Sequence, residues 1–78
     1  MSKGDALDPK GLVAEAYRIE GIGKAECRSI FLDWALSMPL EADTAAAITA
    51  LLERHGVEGH PMTEVMREGR AGMAAPRR

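Results

Sequence analysis

The stretch CRSIFLDWALSM, from Cys27 to Met38, carries more apolar surface than a single helix contact can absorb. At about 100° per residue, Cys27, Ile30, Phe31, Trp34, Ala35 and Met38 share one helix face, and Leu32 and Leu36 form a second ridge beside it. Glu26, Ser29, Asp33 and Ser37 make the only coherent polar strip. Two apolar surfaces need two coverings. The segment is therefore expected either at the centre of a small bundle or as half of an interface.

Punctuation on either side sets the neighbouring elements. Gly21-Ile22-Gly23 is a tight connection before this helix and Pro39 stops it, which predicts a helix over 24–37. Upstream, Asp8-Pro9 is a start signal, with a carboxylate to accept from free N–H groups and a proline suited to the first turn. Leu12, Val13, Ala16, Tyr17 and Ile19 then form an apolar face, predicting a helix over 9–20 that ends at Gly21. Downstream, the acids at Glu41 and Asp43 favour a helix N-terminus and Gly56 an end, predicting a helix over 42–55 with Ile48, Leu51 and Leu52 inward. His60-Pro61 repeats the cap-then-proline pattern and opens a fourth helix, 61–69, with Met62, Val65, Met66 and Gly69 inward. No stretch alternates as a strand does. The fold expected is all-α: one domain over 8–69 of four helices with the second central, a flexible lead-in at 1–7 and a disordered basic tail at 70–78.

Composition narrows the function. A chain of 78 residues buries only roughly 60% of the surface its unfolded form exposes, so self-association would add welcome stability. A core and a deep enclosed pocket compete for the same few side chains, which argues against a self-contained enzyme. The net charge is −2, unevenly placed: four arginines against Glu68 give residues 67–78 a balance of +3, and the rest carries −5. An acidic body repels phosphate backbones, so nucleic acid is a disfavoured partner. One cysteine allows no internal disulfide, no run approaches the about 18 apolar residues of a membrane span, and the N-terminus lacks an apolar leader. A cytoplasmic protein with no membrane partner is expected.

Three constellations deserve weighing for chemistry. His55, Glu58 and His60 offer two imidazoles and a carboxylate around a glycine-containing loop, a donor set that suits Zn²⁺. Their spacing matches no helical ligand pair, and each histidine has a simpler role, His55 at the end of the third helix and His60 as cap of the fourth, so no metal and no cofactor is expected. Cys27 lies in the first turn of its helix beside Arg28, where a thiol pKa falls, yet its angle puts it on the apolar face as a core residue. The first two helices and their glycine turn have the outline of a helix-turn-helix, but the second helix turns apolar where a groove reader exposes Arg, Lys, Asn or Gln.

The runs EAYRIEGI from Glu15 and FLDWAL from Phe31, followed by HPMTEV from His60, resemble small uncharacterised proteins of alphaproteobacteria. The resemblance spans about residues 8 to 69; it implies a bacterial cytosolic protein and brings no catalytic or binding residue with it. The function expected is a non-enzymatic helical interaction module, binding a protein partner or its own copy. Leu32, Leu36 and Trp34 are the candidate contact residues, and a helix-turn-helix-like nucleic-acid binder is the alternative.

Overall fold

Four helices form where the glycines and prolines allow them. In the computed structural model, which describes residues 6–74, they are α1 (Leu12–Ala16), α2 (Lys24–Ser37), α3 (Thr44–His55) and α4 (Pro61–Ala74), with no strand among the described residues. The all-helical expectation holds. α2 packs mainly on α1 and α4, and α3 joins through α4.

The helix ends show which signals act where they stand. α2 has the predicted bounds: Glu26 Oε1 accepts from the Gly23 N–H at 2.9 Å, and Met38 turns extended before Pro39. Asp43 caps α3 by accepting from the Ala46 N–H at 3.0 Å, so α3 begins at Thr44, two residues later than expected.

α1 is the main departure. Asp8 does not open a helix at Pro9; its backbone carbonyl closes a turn onto Gly11 N at 2.9 Å, and Gly11 takes the left-handed conformation. Buried Asp8 then reaches across that turn to accept from the N–H groups of Val13 and Ala14 at 3.3 and 3.1 Å. The carboxylate caps the helix from outside, and α1 shrinks to five residues. Beyond Ala16 the chain turns again, to Gly21 at positive φ.

α4 departs the other way, running on past the expected end at Gly69 to Ala74. Gly69 points inward, as its helical position predicts. A β-carbon on it would strike the Phe31 ring, so the missing side chain is what lets α4 approach α2. The next residue ties the helix to α3, Arg70 Nη1 donating to Thr49 Oγ1 at 3.3 Å. Residues 70–74 of the predicted tail are therefore helical, and 75–78 and the lead-in 1–5 lie outside the described residues.

The core is continuous. Val13, Cys27, Trp34, Ile48, Leu51, Met62 and Met66 are fully buried, with Phe31 and Val65 nearly so. The buried set of α2 is Cys27, Phe31 and Trp34, the i, i+4, i+7 stripe of a helix facing its neighbours.

Candidate interaction surface and polar node

Three residues were singled out on α2, and the structure separates them. Trp34 belongs to the core: it is 0% exposed, its indole lies 5.7 Å from the Phe31 ring, and Nε1 donates to the Leu7 carbonyl at 2.7 Å. It cannot touch a partner, because the lead-in segment at Leu7 closes over it. Leu32 and Leu36 are on the outside, 60% and 83% exposed, four residues apart on one ridge. Leu40, in the turn after α2, is also fully exposed, which helical spacing does not reveal because α2 has already ended.

Beside Leu32 an open cleft of about 300 Å³ runs between α2 and α4, lined by Arg28, Phe31, Leu32, Val65, Glu68 and Gly69. Its apolar lining comes from Phe31, Leu32 and Val65, with Gly69 lying directly against the Phe31 ring. Lys24 crosses the seam above it, donating to Glu68 at 2.8 Å and lying 3.7 Å from Glu64. That hydrogen bond holds the Lys24 ammonium above its ordinary pKa and the Glu68 carboxyl below its own. Both groups are at the surface, where such a pair contributes little to stability.

A second cluster joins elements distant in sequence. Thr63 is buried in the first turn of α4, where its hydroxyl shares a 2.6 Å hydrogen bond with Tyr17 and accepts the Val57 N–H at 3.0 Å. His55 stacks on Tyr17 with centroids 6.1 Å apart, and His60 tilts against it at 4.5 Å. Burial raises the Tyr17 pKa, and the bond to Thr63 works in the opposite direction. Sequence reading placed Tyr17 on an apolar face and passed over Thr63. Nothing local in the sequence pairs the two, which stand 46 residues apart.

The side chains of the metal-like trio are turned to separate partners. His60 Nδ1 accepts from the Met62 N–H at 3.0 Å, the capping role its position predicts. Glu58 is held by the Arg67 guanidinium in a fork of 3.1 and 3.3 Å, which lowers the Glu58 pKa. Among the described residues no three of His, Cys, Asp and Glu converge as a metal site would. Cys27 is buried, and desolvation pushes its thiol pKa up, aided by the charge of Glu26. That is the reverse of an activated nucleophile.

Two of the four basic residues in the C-terminal part, Arg67 and Arg70, are engaged within the fold, with Glu58 and Thr49. No helix among the described residues is long and apolar enough to cross a membrane. Comparison with known proteins finds no matching family model, no matching curated protein and no matching solved structure.

Proposed function

We propose that the protein is a non-enzymatic helical interaction module of the cytoplasm that presents the outer ridge of α2, Leu32 and Leu36, to a protein partner. One observation carries this reading: two leucines on one ridge remain largely in water on a helix whose other face is fully buried. Single exposed apolar residues are ordinary, but two exposed leucines one helical turn apart, the first of which borders an apolar cleft, form a larger patch, and such patches mark contact sites. The polar side chains that looked chemical are engaged in a cap, an ion pair and ring stacking, which supports a binding role over a catalytic one.

The test compares the purified chain with Leu32→Glu and Leu36→Glu, reading helicity by circular dichroism and association by sedimentation and by pull-down against the wild type. Association lost with helicity intact is the expected outcome. A wild type that associates with nothing, or variants that associate unchanged, overturns the reading. Loss of helicity would return these leucines to the core and overturn it equally.

A further inference from the structure

The side chains around the ridge specify its occupant. Counted in sevens along α2, Ala25, Ser29, Leu32 and Leu36 fall on the two alternating seam positions of a paired helix, and Arg28 and Asp33 flank that seam on opposite edges. All six residues are exposed. Within the described residues the Asp33 side chain has no hydrogen bond or ion pair. Arg28 has no direct ion pair, and its charge reaches Glu68 and Lys24 only through space. The five-residue step from Arg28 to Asp33 is the offset at which flanking charges meet across two parallel helices in register.

Resting on the reading of the ridge as a contact site, we propose that its occupant is a second copy of this chain. The two α2 helices would lie parallel about a twofold axis along the seam, with Leu32 and Leu36 meeting their own counterparts and Arg28 of each copy meeting Asp33 of the other. Charge selects this arrangement over the antiparallel one. A twofold axis perpendicular to the helices sets each edge against itself, which brings the Arg28 edges together and the Asp33 edges together. An axis along the seam exchanges the edges and forms two opposite-charge pairs. Small residues at Ala25 and Ser29 let the N-terminal halves approach closely. The interface is isologous, so it closes at two copies and builds no filament.

The seam is short. Fourteen residues of helix span about 21 Å, so the contact falls at the small end of specific interfaces and the dimer should be concentration-dependent.

Sedimentation of the full chain from low micromolar to millimolar concentration tests this, together with charge variants. Arg28→Asp alone and Asp33→Arg alone each set like charges across the seam and should weaken the dimer at least tenfold. Mixed in equal amounts, the two variants should recover a heterodimer, because each then supplies what the other lacks. Ser29→Cys should cross-link to its own counterpart on oxidation with diamide, whereas the wild type, whose Cys27 is buried, should not. A dimer that survives Leu36→Glu, fails to recover on mixing or does not cross-link at position 29 overturns the proposal. So does a wild type that stays monomeric at millimolar concentration. In that last case, a protein partner captured by the wild type and lost by Leu36→Glu leaves the ridge reading standing, and absence of any such partner removes both.

Discussion

α2 offers two apolar faces made of similar residues, and they have opposite fates. Cys27, Phe31 and Trp34 are closed in by α1, α4 and the lead-in at Leu7, whereas Leu32 and Leu36, rotated from them by under half a turn, face water. Hydrophobicity does not distinguish the faces; what covers them does. A bundle in which α3 reaches α2 mainly through α4 leaves one side of α2 without a neighbour, and the sequence places its leucines there.

The sharpest way to break this contrast is to truncate one residue on each face. Trp34→Ala should cost about 3–5 kcal/mol, the range for large aromatic residues in a packed core, and in a domain this small that should unfold most of the population. Leu36→Ala, measured in urea at concentrations too low for association, should stay within about 0.5 kcal/mol of the wild type. Equal losses at the two sites would mean that the outer ridge is packed after all.

Gly69→Ala probes the border between the faces. The added methyl meets the Phe31 ring, an overpacking cost of about 1–3 kcal/mol set against roughly 1 kcal/mol gained in helix propensity. A net loss of stability in urea is expected, and a gain would show that the ring yields at little cost. Gly72→Ala, with open space around it, is the control and should stabilise α4.

The smallest effect is alkaline. Desolvation raises the folded-state pKa values of the Cys27 thiol and the Tyr17 phenol above their ordinary 9.0 and 10.0. The unfolded chain therefore releases these protons first. The stability linked to them is complete below pH 9 and declines as pH rises through the folded-state values. Cys27→Ala should flatten the first part of that decline in a pH series of urea midpoints, and an unchanged slope would show that the thiol is solvated in the fold.

How much was legible follows from how locally each signal acts. The bounds of α2 were readable because Gly23 and Pro39 act on their immediate neighbours, and the inward residues of α3 and α4 because periodicity is local. α1 was overestimated because the carboxylate of Asp8 works across an intervening turn, a geometry that the dipeptide Asp8-Pro9 does not encode. α4 was underestimated because the arginine-, glycine- and alanine-rich stretch from Arg70 reads as a solvated tail, whereas Arg70 finds Thr49 on α3, 21 residues away, and the helix runs on to Ala74. Of the candidate surface, Leu32 and Leu36 were found from helical angle alone. Trp34 was misplaced because its cover comes from Leu7, 27 residues away, and the Tyr17–Thr63 node was missed because its partners are 46 residues apart.

The bond from the Trp34 indole to the Leu7 carbonyl has an optical consequence. The chain holds one tryptophan, and its ring is sealed partly by the segment that leads into the shortest helix. A five-residue helix has little cohesion of its own, so the lead-in and α1 are the natural first unit to open. Whenever that unit lifts, the indole loses its acceptor and meets water while α2, α3 and α4 can stay assembled. The protein thus carries an intrinsic fluorophore for its own local opening: red-shifted emission without loss of far-ultraviolet ellipticity would report the lid of the core, and not its collapse.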